Sequence, residues 1–366
     1  MQIPAMRFPR DTSGFTSTLR ARIDAHFAAT GRSKQGDWRM VVKTIVMFGL
    51  FFTPWALIAF GVVGGGVWFW VTEIIMGLGL AGIGLNVMHD ANHGAYSSNP
   101  KVNKWMGHAL DLIGANAPLW KIQHNVLHHT FTNVDGLDED IDAGAILRFS
   151  PNQKRRWFHR FQHIYAWGFY SIMTLFWITA KDWLSVGKYQ KKGLLEKSGT
   201  TRGKLFTYLI GWKSLHFGYI LVLPMIFSGL PVWQVVVGWV VMHAVAGLLL
   251  SSIFQPAHVM EHHAFEPAVA GSTLPNDPLI HQLTTTANFG VGSSVFTWLV
   301  GGLNHQIEHH LFPNICHVHF RSIAPIVKQT AEEFGLPYRA QTTFMEALRL
   351  HTRMLRSLGR PEPTLA

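Results

Sequence analysis

Four stretches of the chain are long, apolar and almost free of charge: residues 44–63, 67–88, 214–230 and 232–254. Each is close to the ~20 residues an α-helix needs to cross the hydrocarbon core of a bilayer, and each predicts a spanning helix. A fifth window, residues 161–180 (FQHIYAWGFYSIMTLFWITA), also lacks charge. Its many aromatics suit the boundary between membrane and water, and it is read as a helix lying along the surface. The stretches between are polar: a basic amphipathic lead (1–43), a middle (89–213) and a tail (255–366). In the tail, TAEEFGLPYRA predicts a helix that ends near Phe334 and Gly335, with Pro337 beyond it as a stop.

Composition supports this reading. Among 366 residues, 48% are apolar and only 14% charged, with 25 Phe and 14 Trp, which is greasy for a pair of soluble domains. Of the 31 Lys and Arg, eight lie in the lead, sixteen between residues 101 and 213, and seven after residue 320. The tight connections near Val63 to Gly66 and Leu230 to Pro231 carry none. All 31 can face the cytoplasm if the spans form two hairpins with both ends inside. A fifth span through 161–180 would break that partition. The expected architecture is an all-α integral membrane protein with four transmembrane helices in two hairpins. Interfacial helices and a cytoplasmic helical cap (89–213 and 255–366) complete a single domain, 1–366, with both ends on the cytoplasmic side of the membrane. No cleavable signal peptide is visible, and one cysteine, Cys316, excludes a disulfide framework. The formal net charge of +10 orients the chain, and can also hold anionic lipid or dock an acidic soluble partner. No nucleic-acid partner is expected.

The 21 histidines are gathered rather than scattered. HDANH (His89, His93) starts where the second span ends, and HNVLHH (His124, His128, His129) follows in the middle. HVMEHH (His258, His262, His263) begins past the fourth span, and HQIEHH (His305, His309, His310) sits in the tail. The two-hairpin topology brings all four clusters out on one membrane face. Residues four apart share one face of a helix, so such pairs can offer two imidazoles to one ion. The clusters hold more imidazoles than the four ligands of one tetrahedral zinc, and suit two ions of higher coordination number. Two irons held by nitrogen can take up oxygen and electrons, the chemistry needed to attack an unactivated C–H bond. At the mouth of a helix bundle, that chemistry would meet a lipid chain. A zinc-dependent membrane hydrolase or receptor and a metal transporter are the competing classes.

HDANH, HNVLHH and GGLNHQIEHHLFPNICHVH resemble the three histidine boxes of the membrane fatty acid desaturase family. The last is similar to the front-end, delta-6 type (linoleoyl-CoA desaturase-like) branch of bacteria and cyanobacteria. The likeness runs from about residue 40 through HHTFTNVDGLDEDID to the closing tail. It implies four spanning helices capped by a cytosolic helical domain, two iron ions (Fe2+/Fe3+), and a reaction that uses dioxygen and two electrons. That reaction takes hydrogen from adjacent methylenes and leaves a cis double bond and water. The box ligands fall on His89, His93, His124, His128, His129, His309 and His310, and QPAHVME matches a further family histidine at His258. Front-end relatives often read Gln where this chain has His305 followed by Gln306. Boxes two and three share the pattern His, amide residue, two spacers, His-His, so an amide that served in one could serve in both; His305 is assigned as ligand instead, which with His258 gives nine imidazoles. Gln306, Asn125 and Asp90 are then possible ligands, directly or through water, or orient their neighbours. The implied substrate is a fatty acyl chain on coenzyme A or in a membrane lipid. No His-Pro-Gly-Gly haem motif is present, so the electron donor is expected to be a separate ferredoxin or b-type cytochrome. An acyl hydroxylase or acetylenase could use the same boxes.

Other polar residues fit lesser roles. His262, His263, His317 and His319 match no ligand position. His243, in the fourth span, reads as a satisfied buried histidine, and Glu73, in the second, needs an interhelical partner or a route to the surface. The run Asp135, Asp138, Glu139, Asp140, Asp142 lacks the order of a calcium loop and is expected to be solvated or to support the histidines.

Overall fold

A computed structural model describes residues 6–361, and helices account for most of them. The chain divides into two compact units. Among the described residues, one is formed by Asp37–Ile122 and Gly168–Ser251, the other by residues 6–36, Gln123–Trp167 and residues 252–361.

Among the described residues, four helices are long and apolar enough to cross a membrane: Trp38–Ala59, Val67–Asn92, Arg202–Phe227 and Val232–His258. The first begins at Trp38 rather than residue 44, because the Asp37 side chain accepts a hydrogen bond from the Arg39 amide and caps it. The third begins at Arg202 rather than residue 214. Thr201 caps its start by accepting from the Lys204 amide. Lys213, whose charge would otherwise bar it from a span, is buried with its Nζ 2.6 Å from both Asp182 Oδ2 and the Gly114 carbonyl. The second span is the most enclosed. Its Gly77 and Gly79 explain why: a Cβ at Gly79 would lie 2.6 Å from the Phe51 amide of the first span. One at Gly77 would lie 2.6 Å from the Met242 carbonyl of the fourth. Small residues here let backbones meet, as they do between helices in lipid. Trp38, Ile45, Ile210 and Ile226 are more than half exposed, which suits lipid-facing positions.

The window 161–180 forms the helix Gln162–Phe176 and a π turn, Trp177–Lys181, and is not among the four spanning candidates. Trp157, just ahead of the window, and Phe161, Ile164, Ile172 and Phe176 within it stand exposed at steps of four, three, eight and four residues, behind the basic run Lys154, Arg155, Arg156.

In the second unit the basic lead becomes structural. The helix Phe15–Thr30 buries Phe15, Leu19, Ile23 and Phe27, a stripe four residues apart. These pack in one core with Ile307, Leu311, Phe312 and Ile315 and with Phe320, Ile323 and Val327 of the helix Phe320–Glu333. That last helix ends at Phe334 and Gly335, the latter at φ 66, as TAEEFGLPYRA predicts. Two short parallel pairings tie distant segments: Val134–Asp135 with Glu266–Pro267, and Asn288–Phe289 with Ala340–Gln341.

Candidate metal centre

The first box lies in the unit of spans. A π-helical stretch, Ile83–Met88, runs into the short helix His89–Asn92. His89 is fully buried, and its ring centroid is 4.8 Å from that of His93. Trp120 meets both rings edge-on, at 5.6 and 5.7 Å. Asp90 is buried, with Oδ1 3.9 Å from His89 Nδ1, and so stands beside the box without a direct hydrogen bond to that nitrogen.

The other boxes lie in the second unit. HNVLHH falls in a π-helical stretch, Ile122–His128, and the His129 amide bonds the His124 carbonyl five residues back. The wider turn puts the fourth and fifth residues on either side of the first, so His124 faces both: ring centroids are 5.2 Å to His128 and 4.7 Å to His129. A regular α-helix would align only the i,i+4 pair. Single π turns of this kind recur at functional sites. The third box rides on the short helix Gln306–Leu311, with Ile307 and Leu311 in the apolar core and His309 and His310 buried among histidines. Asn288 secures it: Oδ1 accepts from the Ile307 amide at 2.8 Å, and Nδ2 donates to Glu308 Oε2 at 2.8 Å. Tyr338 donates to the other Glu308 oxygen at 2.8 Å.

These pieces converge. Ligand nitrogens of His128, His258 and His310 lie within 4.8 Å of one another, as do those of His129, His309 and His310. The Nε2 atoms of His124 and His129 are 3.2 Å apart. Second partners fix the rings. His128 Nδ1 lies 3.0 and 3.1 Å from the two oxygens of Asp138, and His258 Nδ1 donates to the Thr285 carbonyl at 3.2 Å. His310 Nδ1 donates to Gln282 Oε1 at 2.8 Å. The Nε2 atoms of His258 and His310 are buried without a hydrogen-bond partner among the described residues. A histidine that gives one N–H to an oxygen and leaves the other nitrogen bare is set as a metal ligand, so the donor set fits iron. Burial opposes charge on His128, but the carboxylates of Asp138 and Asp140 outweigh it and lift the imidazole to about 9. Burial and the rings of His129, His258, His128 and His124 hold His310 well below the usual range, in the neutral form a ligand needs.

Of the residues singled out from sequence, His124, His128, His129, His258, His309 and His310 are brought together in one unit, and His89 and His93 pair in the other. His305 precedes the third-box helix with Nδ1 3.5 Å from Glu308 Oε2, and it joins none of these groupings. Gln306 is buried, and its Nε2 has no hydrogen-bond partner among the described residues. Asn125 is partly exposed. His263 takes the Met260 amide at 3.3 Å, and His319 Nε2 lies 3.1 Å from the Gln35 carbonyl. His243 keeps a bond to Thr174 at 3.2 Å, but its Nε2 has no hydrogen-bond partner among the described residues. Glu73 Oε2 likewise has none.

The acidic run divides. Asp138 is buried against His128, Asp140 sits 3.5 Å from Nδ1 of both His124 and His128, and Asp135 accepts from Ser150 and Asn152. Sequence reasoning missed Gln282, Thr285 and Asn133. Asn133 adopts φ 58, donates to the His258 carbonyl and gives its amide to Asp138. Only the DGLDED run pointed toward such support.

Among the described residues, four helices apolar enough to cross a membrane and a buried gathering of histidines with oriented rings suit a membrane protein with a metal site. The family follows from comparison: a model described as fatty acid desaturase matches residues 66–342, and the chain belongs to that family. It is 35% identical to the sn-1 linoleoyl-lipid 6-desaturase of Synechocystis sp., over 95% of this chain and 96% of that one. It is 33% identical to the protein of the same description from Arthrospira platensis, over 94% and 93%. It is also 33% identical to the acyl-lipid (8-3)-desaturase of Physcomitrium patens, over 96% of this chain and 73% of that one. The protein is therefore an oxidoreductase, a fatty acid desaturase. A zinc hydrolase or receptor finds no support in these matches.

Proposed function

We propose that this desaturase places a cis double bond at the front end, at the delta-6 position, of a linoleoyl-type chain carried by a membrane lipid. Relatives described as acting on linoleoyl-lipid match nearly the whole chain, which favours acyl-lipid over acyl-CoA. The observation that carries the reading is the pair of buried Nε2 atoms on His258 and His310, without a hydrogen-bond partner among the described residues and beside His128. The proposed ligands are His124, His128, His129, His258, His309 and His310, joined by His89 and His93 from the first box and by His305 or Gln306. Two irons so held would supply the oxygen chemistry that removes hydrogen from adjacent methylenes. The protein's own residues orient each imidazole and keep bulk water from a buried site. The clusters and both termini are placed on the cytoplasmic side with the basic residues, and the exposed stripe from Trp157 to Phe176 lies in the headgroup region. A separate ferredoxin or b-type cytochrome brings electrons. The test is to express the chain in a host fed linoleate and to locate double bonds in each lipid class. A new double bond at carbon six in glycerolipid is expected. Unchanged lipids from protein that carries about two irons would refute the assignment of substrate and position.

A further inference from the structure

We propose that Gln282 is a positioning residue: its amide decides which nitrogen of His310 faces the metal and locks the second box to the third. The inference rests on the metal reading above.

Gln282 sits on the helix Pro278–Thr285, whose N-cap Asp277 accepts from the Leu279 amide. It is buried, and both ends of its amide are used. Nε2 donates to the His129 carbonyl at 2.9 Å. A carbonyl only accepts, so the amide cannot be turned the other way round without losing that bond. Oε1 therefore faces His310 Nδ1 at 2.8 Å. An amide oxygen only accepts as well, so Nδ1 carries the hydrogen and the lone pair sits on Nε2. That is the buried nitrogen with no hydrogen-bond partner among the described residues, on the ring grouped with His128 and His258. The Thr132 hydroxyl, 2.8 Å from the His128 carbonyl and 2.9 Å from Gln282 Oε1, braces the same amide.

The same helix acts twice more. The Thr285 carbonyl fixes the tautomer of His258, and His281 Nε2 holds the Thr132 carbonyl at 2.8 Å. One short element thus sets the donor atoms of two proposed ligands, His258 and His310, and Gln282 bonds both His129 of the second box and His310 of the third.

The experiment uses the full-length chain in detergent, stripped of metal and titrated with Co2+ while its visible absorption is followed. Gln282→Leu removes both bonds and is expected to weaken Co2+ binding roughly ten- to hundredfold, the usual effect of losing a partner that orients a ligand. Gln282→Glu keeps an acceptor for His310 Nδ1 and is expected to bind within about threefold of wild type. Leucine binding as tightly as wild type overturns the proposal. So does glutamate losing as much as leucine, because the residue would then serve only to clasp the His129 carbonyl. If the leucine protein does not fold, the glutamate result decides alone by the same threshold. A wild-type chain that takes up no Co2+ overturns the metal reading itself, a result distinct from either variant's.

Discussion

At the scale of single residues, the histidines were legible because each box is local: a spacing of four or five is written in the sequence. What aims them was not. His128 depends on Asp138, in the acidic run whose supporting role the sequence suggests without naming a partner, whereas His310 depends on Gln282 and His258 on the Thr285 carbonyl, and those two pairings leave no pattern in the chain. Asp138→Leu would leave His128 without its acceptor and should lower metal affinity roughly ten- to hundredfold. Elemental analysis of the purified variant should then find well under the wild-type iron. A second prediction concerns His351, fully buried with Nδ1 on the Val259 carbonyl at 2.9 Å. Burial pushes its imidazole down to about 4. Its unfolded value is higher, so the unfolded chain takes the proton first as pH falls. The stability concerned is intact above about pH 6.5 and is lost progressively toward pH 4, on the order of 2 kcal/mol by pH 5. Denaturation midpoints at pH 7.5 and pH 5 should show that loss in wild type and a smaller one in His351→Gln.

At the scale of elements, the spacing argument succeeded for a reason it did not contain. HNVLHH reads as an i,i+4 pair with a spare neighbour, yet the stretch is π-helical and brings the neighbour to the same face. Whether a helix widens depends on tertiary fit, so the sequence alone pointed to an α turn. Deleting Val126, half-exposed on the outer side, should return the turn to α register and swing one imidazole away. Helix content by circular dichroism should persist while bound iron falls to half or less. The helix that carries the third apolar stretch starts well before residue 214, and within it Lys213 is answered by Asp182, a partner only the fold supplies. The second span makes a further prediction. Gly79→Leu would force its side chain into the backbone of the first span at Phe51 and Leu50. Overpacking of this kind costs roughly 1–3 kcal/mol or more, and the thermal transition in detergent should drop by several degrees.

At the scale of the whole molecule, four spans and their approximate limits could be read from hydropathy, since hydrocarbon thickness fixes a length that the chain must show. The role of the first forty residues could not. They read as a basic lead, and their apolar stripe became a core only when the tail helix arrived to cover it. Phe15→Ala should cost about 3–5 kcal/mol. Because Ile307 and Leu311 share that core, the variant should lose metal along with stability, as calorimetry and iron content can show together.

The union of Phe15–Thr30 with Phe320–Glu333 also sets a schedule for biogenesis. A ribosome adds about 5–20 residues each second, so the first helix waits on the order of tens of seconds for its partner. All four spans leave the ribosome within that interval, before the third box exists. The unit that carries the second and third boxes can therefore close only after Phe320–Glu333 has been made, when all four long apolar helices already exist.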